Sequence, residues 1–144
     1  MRQAPAPRVA HARNEDEMLA LGARLGRELA GGQVVELAGD LGAGKTTLVR
    51  GMLRGLGFAG RVKSPSYGLV EPYEIDDLDV FHLDLYRLSD PEELAFLGLD
   101  DLAGPGSVLL VEWPERGRGM LPAATRRIRI DDAETGRRVR IEDA

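Results

Sequence analysis

The sequence predicts a single α/β domain, and three observations carry that expectation. A short apolar run, Val34-Val35-Glu36-Leu37-Ala38, leads into the glycine-rich loop Gly39-Asp40-Leu41-Gly42-Ala43-Gly44-Lys45-Thr46, and a helical segment follows from Thr47 to Leu53. A second run, Ser107-Val108-Leu109-Leu110-Val111, reads as a strand buried on both faces. Near the C-terminus, Ile128 and Ile130, then Val139 and Ile141, alternate with arginines at the period of half-buried strands.

Taken in order, residues 1–13 read as a loose tail with Pro5 and Pro7, and residues 14–144 as the domain. Asn14-Glu15-Asp16-Glu17 has the form of a helix N-cap followed by acids that complement the helix dipole. Met18, Leu21, Leu25 and Leu29 then recur at helical spacing, and Gly31-Gly32 is expected to end that helix. The helix after the glycine-rich loop is expected to stop around Gly55-Leu56-Gly57. A polar, turn-rich stretch, Lys63 to Tyr67, precedes two expected strands, 67–74 and 78–85, joined at Asp76-Asp77. Asp90-Pro91-Glu92-Glu93 opens a further expected helix whose core contacts are Leu94, Leu97 and Leu102. Gly104-Pro105-Gly106 breaks the chain before the strand at 107–111, and a final hairpin turns at Ala133-Glu134-Thr135-Gly136.

The bulk properties narrow the function classes. A chain of 144 residues suits one domain with one sizeable core. Without cysteine it has no disulfide and no thiolate metal site. No apolar run approaches the about 20 residues that span a bilayer, so no membrane role and a cytoplasmic location are expected. The net charge of −5 argues against a general nucleic-acid coat. It leaves room for a local basic face at Arg126, Arg127, Arg129, Arg137, Arg138 and Arg140.

Residues 39–46 match G-x-x-x-x-G-K-[ST], the P-loop pattern. Glycines at these spacings let backbone N–H groups converge on phosphate oxygens, at the start of a helix whose dipole favours anions. Lys45 would reach the β- and γ-phosphates, and the Thr46 hydroxyl would hold Mg²⁺. Thr47 continues the contact at the helix start. Of the 19 basic residues only Lys45 and Lys63 are lysines, so this arginine-rich chain keeps lysine where a compact point charge fits.

A bound nucleotide needs a carboxylate near its metal, commonly at a strand end. Glu112 closes the apolar run, and Asp84 sits in Phe81-His82-Leu83-Asp84-Leu85-Tyr86-Arg87. Either is placed to meet Mg²⁺ while the other positions the attacking water, and the spacing leaves the choice open. Arg87 is an alternative partner for Asp84. His82 shares a strand face with Asp84, and Trp113 follows Glu112 directly, placed to pack near nucleotide or partner. Ser64, Ser66 and Lys63 lie where a switch loop would sense the γ-phosphate.

The ordered set of Gly39–Thr47, Lys63-Ser64-Pro65-Ser66-Tyr67-Gly68-Leu69-Val70, His82-Leu83-Asp84-Leu85-Tyr86-Arg87-Leu88 and Leu110-Val111-Glu112-Trp113-Pro114 resembles the TsaE (YjeE) family over about residues 14–122. The resemblance implies a P-loop NTPase-like domain with a mixed parallel and antiparallel sheet flanked by helices. It implies ATP and Mg²⁺ as ligands, with Lys45 on the phosphates, Thr46 and Glu112 on Mg²⁺, and Asp84 in a supporting or catalytic role. It also implies slow ATP hydrolysis by the protein alone, a switch at Ser64-Pro65, and partners TsaD and TsaB in the threonylcarbamoyladenosine modification of tRNA. Ser66 keeps a hydroxyl where the family's switch motif has threonine, whereas Gly68 loses one. A small-molecule kinase is the rival class, disfavoured because few residues remain for a second substrate domain. A non-hydrolysing ATP switch is another rival. A GTP switch lacks support, because neither lysine stands in an Asn-Lys-x-Asp motif.

Overall fold

The computed structural model describes residues 6–62 and 70–144. Its strands are β1 (Arg8–Ala12), β2 (Val34–Gly39), β3 (Val70–Ile75), β4 (Leu78–Asp84), β5 (Ser107–Glu112), β6 (Arg126–Asp132) and β7 (Arg137–Asp143). The helices are α1 (Glu15–Gly26), α2 (Lys45–Gly55) and the four-residue α3 (Leu99–Leu102). Among the described residues, seven strands form one sheet in the order β1-β7-β6-β2-β5-β4-β3. The centre, β6-β2-β5-β4, is parallel, and the β1-β7, β7-β6 and β3-β4 pairings are antiparallel. This is the mixed sheet expected of the chain.

Period-two alternation sorts the strand residues onto two faces. Val35, Leu37, Val80, Val108, Leu110, Ile128, Ile130, Val139 and Ile141 form one core with residues of α1 and α2. Val34, Leu83, Leu109 and Val111 form a second core with Leu85, Leu88, Leu94 and Leu99. Both faces of β5 are therefore covered, which accounts for its unbroken apolar run; on β2 the second core takes Val34, and Glu36 and Ala38 follow it only partly buried. On β6 and β7 only one face is buried, hence the arginine alternation.

The two long helices touch through glycine. A Cβ on Gly22 would stand 2.5 Å from the Leu48 carbonyl oxygen, and one on Gly51 would stand 2.4 Å from the Leu19 carbonyl oxygen. Gly26 and Gly55 meet Met52 and Ala23 backbone in the same way, each at 2.2 Å. The spacings Gly22-x-x-x-Gly26 and Gly51-x-x-x-Gly55 thus bring backbone against backbone.

Three expectations need correction. Residues 8–12 are not part of a loose tail: β1 pairs with β7 from Arg8↔Ile141 to Ala12↔Arg137, and Ala12 is buried. The helix at 14 does start on its Asn14 cap, whose Oδ1 accepts from the Glu17 amide at 2.9 Å, but it ends at Gly26. Gly31 serves a chain crossing instead, since a Cβ there would overlap the Pro105 carbonyl oxygen at 1.9 Å. Residues 91–102 are not one helix. Pro91–Leu97 is a 3₁₀ segment, Gly98 turns left-handed at φ 62°, and α3 follows. The expected strand at 67–74 begins, among the described residues, at Val70. The readings of Lys63, Ser64, Pro65, Ser66, Tyr67, Gly68 and Leu69 fall outside the described residues.

Candidate functional site

The parallel centre of the sheet delivers its strand ends to one place. β2 ends at Gly39, β5 at Glu112 and β4 at Asp84, with Glu112 in register between Leu37 and Asp84. Such a row of carboxyl ends is where open α/β sheets bind ligands. The loop Asp40–Gly44 climbs from β2 and drops into α2. Gly39 passes so close to β6 that a Cβ would lie 2.8 Å from the Ile130 carbonyl oxygen. Gly44 precedes α2 at φ 108°, where a side chain would be strained. No side chain caps α2, and its first intrahelical amide bond is Leu48 to Gly44 at 2.9 Å. The amides of its first turn are therefore available to an anion.

Lys45 begins α2 with its side chain folded back. It is 4% exposed. Its ammonium donates to the Gly39 and Asp40 carbonyl oxygens and lies 3.8 Å from the centroid of the Trp113 ring. Desolvation lowers its proton affinity below the usual lysine range, against the opposing pull of Glu112, Glu115, Asp84 and Asp40. Trp113 reaches it by a left-handed turn, φ 57°, directly after β5 and before Pro114. A non-glycine residue held there is the kind of backbone outlier that clusters at functional sites.

Thr46 donates its hydroxyl to the Glu112 carboxylate, 3.1 Å to Oε2 and 3.3 Å to Oε1. Glu112 is 3% exposed and also accepts from His82 Nε2 at 2.6 Å. His82 is fully buried, and its Nδ1 has no partner among the described residues. Sequence placed His82 on the strand face that carries Asp84; the structure keeps it there and adds its bond to Glu112, which fixes that carboxylate toward Thr46. Asp84 is half-buried, and its Oδ1 accepts from the Tyr86 amide at 3.1 Å. Among the described residues it makes no ion pair with Arg87 or any other cation. Burial raises its proton affinity above the usual aspartate range, Glu112 adds to the rise, and the Tyr86 amide, His82 and Lys45 oppose it.

A cavity of about 260 Å³ lies between Leu41–Thr47 on one side and Asp84, Tyr86, Glu112 and Trp113 on the other. Gly42, Ala43, Gly44 and Thr47 also border a second cavity of about 270 Å³, closed by Ala12–Glu15, Met18, Gly136 and Arg137. Arg137 is tied to this loop, donating from Nε to the Ala43 carbonyl oxygen at 3.2 Å. Sequence reasoning missed the second cavity, because nothing local to Asn14 or Arg137 shows that β1-β7 pairing brings them together. Tyr86 was quoted in its motif without a role; its i+2 relation to Asp84 is the signal that it lines the first cavity. Ser64 and Ser66 lie outside the described residues.

The donor set can be judged chemically. Among the described residues, no group of three or more His, Cys, Asp or Glu gathers as an all-protein metal centre. A hydroxyl in contact with one buried carboxylate, with a second carboxylate in the adjacent register position, suits a hard cation that takes its remaining oxygens from phosphates and water. No helix among the described residues is long and apolar enough to cross a membrane.

Comparison with known proteins follows the same lines. The family described as "Threonylcarbamoyl adenosine biosynthesis protein TsaE" matches residues 12–139. The chain is 52% identical over 108 residues to the tRNA threonylcarbamoyladenosine biosynthesis protein TsaE of Haemophilus influenzae, covering 75% of this chain and 68% of that one. It is 43% identical over 101 residues to the Synechocystis protein of the same name, covering 66% of this chain and 62% of that one. For the Streptomyces coelicolor protein the figures are 44% over 119 residues, 81% and 80%. The chain thus spans roughly two thirds of the length of the first two relatives. A crystal structure of Bacillus subtilis YdiB superposes with a TM-score of 0.80 at 30% identity, covering 99% of this chain and 88% of that one.

Proposed function

Because the chain belongs to the TsaE family of threonylcarbamoyl adenosine biosynthesis proteins, we propose that it is a Mg²⁺-dependent P-loop ATPase that supports the threonylcarbamoyladenosine modification of tRNA by acting on the TsaB–TsaD complex in the cytoplasm. The observation that carries this reading is the contact of Thr46 with Glu112, 3.1 Å apart in space and 66 residues apart in sequence. It joins the two halves of a phosphate-and-metal site, the loop–helix start and the buried strand end.

In this reading the loop Gly39–Thr47 wraps the phosphates with backbone amides. Lys45 leaves the Gly39 and Asp40 carbonyls and the face of Trp113 for the β- and γ-phosphate oxygens, which removes the cost of its desolvation. Mg²⁺, when bound, is held by Thr46 Oγ1 and Glu112 and neutralises phosphate charge. His82 locks the Glu112 carboxylate in place. Asp84, with its raised proton affinity, orients the attacking water and accepts its proton. The nucleoside end lies in the second cavity, because Thr47 and Gly42–Gly44 border both compartments. Ser64 and Ser66 are the residues proposed to read the γ-phosphate. The tRNA is affected through the partners.

The test is ATPase kinetics with and without purified TsaB–TsaD, with Lys45→Ala as control. Weak turnover alone, a changed rate with the complex, and loss of both in Lys45→Ala are expected. An unaltered rate with the complex would remove the partner role, and full turnover in Lys45→Ala would remove the site.

A further inference from the structure

Among the described residues, β6, β7 and β1 have no covering layer on the face opposite α1 and α2, and β2 borders this open face. Alternation places Glu36 and Ala38 of β2, Arg127, Arg129 and Asp131 of β6, Arg138, Arg140 and Glu142 of β7, and Val9 and His11 of β1 on that face. Cross-strand register divides these residues into rows. One row reads Glu36, Arg127, Glu142, and Arg127 pairs with Glu36 at 3.5 Å. The row nearest the turn sets Asp131 opposite Arg138. The middle row reads Ala38, Arg129, Arg140, Val9. Two arginines stand directly opposite each other there, with no carboxylate in the row.

Like charges facing across a strand pair destabilise a sheet, while neighbouring rows show that this face can balance its charges. Arg129 is 60% exposed, and its one ion pair among the described residues is with Asp131, 3.1 Å away on its own strand. Arg138 and Arg140 make no ion pair among the described residues, and Val9 beside Arg140 is 55% exposed. A groove of about 360 Å³ runs from Arg129 and Arg140 past Ala38 to Pro114. Pro114 follows Trp113, the residue over Lys45, and Ala38 precedes Gly39. The groove thus reaches the chain neighbours of Trp113 and Gly39 without sharing a residue with the site cavity.

We propose that this open half-sheet is a docking surface for an acidic protein surface, whose carboxylates pair with Arg129, Arg140 and Arg138. The interspersed Glu36, Asp131 and Glu142, with a net charge of −5, favour a few discrete carboxylates over a continuous polyanion such as RNA. Contact at Pro114 and Ala38 couples docking to the site, since both adjoin residues that hold Lys45. The inference rests on the partner-driven ATPase reading and adds where the partner binds.

The experiment uses the full chain and the purified TsaB–TsaD complex. Arg129→Glu/Arg140→Glu is expected to weaken binding by about tenfold or more, with unstimulated ATP turnover unchanged. Arg129→Gln/Arg140→Gln should show a smaller loss, which guards against a folding effect of the reversed charges. Arg24→Glu, on α1, should bind as wild type does. Wild-type affinity should fall as salt rises. If wild type binds and both double variants bind equally well, the surface assignment is overturned and the partner role stands. If wild type does not bind at all, both fall. If an unmodified tRNA transcript binds wild type directly and the charge-reversed variant loses it, the occupant is RNA and the proposal is overturned.

Discussion

Replacing Gly22 by alanine sets two energies against each other. Helix propensity alone favours alanine over glycine by about 1 kcal/mol in a helix interior. Packing opposes it: the new Cβ would stand 2.5 Å from the Leu48 carbonyl oxygen and 2.9 Å from the Gly51 Cα. Both are backbone atoms of α2, so no flexible side-chain end can yield and the helices must separate. Overpacking costs about 1–3 kcal/mol, and the upper figure applies where backbone meets backbone. The net expectation is a loss of about 2 kcal/mol, or a fall in Tm of roughly 4–8 °C for a domain of this size. Thermal unfolding followed by circular dichroism measures it. The double variant Gly22→Ala/Gly51→Ala should lose less than the sum of the singles, because the first substitution already opens the gap that the second needs. ATP affinity should weaken alongside, since α2 carries Lys45 and Thr46 in its first turn. A Gly22→Ala protein at least as stable as wild type would refute the reasoning, for propensity would then outweigh the helix contact.

Three further outcomes are expected. Trp113, the only tryptophan in the chain, lies under the Lys45 ammonium, so its fluorescence should change when ATP and Mg²⁺ are added; Lys45→Ala should alter the starting emission and abolish that response. Asp84 has its folded-state proton affinity raised by burial, so its ionisation opposes folding; Asp84→Asn should be more stable than wild type at neutral pH, with the advantage vanishing below the ordinary aspartate pKa, while ATP turnover falls. Arg126 joins Glu28, just beyond α1, to the end of the sheet, at 2.9 Å from Glu28 and 2.5 Å from Asp143; Arg8 first and Arg126 second hold the Glu28 carboxyl below its usual range, and Arg126 does the same for Asp143. Arg126→Ala should cost about 1 kcal/mol after solvent screening at neutral pH, and urea titrations should show the gap closing as acid protonates Glu28 and Asp143.

Legibility from sequence followed the range of the cause. The loop–helix unit was legible because its glycines, lysine and threonine act within a few residues of each other. Glu112 stood out because an acid after four buried apolar residues demands a partner, and Thr46 meets it. The contact of His82 with Glu112 was hidden, because only the register of β4 against β5 brings that carboxylate within reach of the ring. β1 was misread as tail for a similar reason: Arg8–Ala12 becomes a strand only through β7, at the other end of the chain. The helix expected from Asp90 was a matter of competing local signals, in which Gly98 outweighed the apolar spacing. Gly22, Gly26, Gly51 and Gly55 were in plain view. In isolation a glycine inside a helix looks like weakness, and its use emerges only when a second helix presses on it.

The pairing of β1 with β7 also governs when the protein can be finished during synthesis. Of the seven described strands β1 is made first and its partner β7 last, so β1 stays unpaired until the others are complete. Until Gly136 and Arg137 emerge, the second cavity lacks one wall, although its glycine loop was translated long before. In the proposed reading, a nascent chain stalled at β6 would have the glycine-rich loop but an incomplete second cavity, so nucleotide binding would arrive only with the closing hairpin.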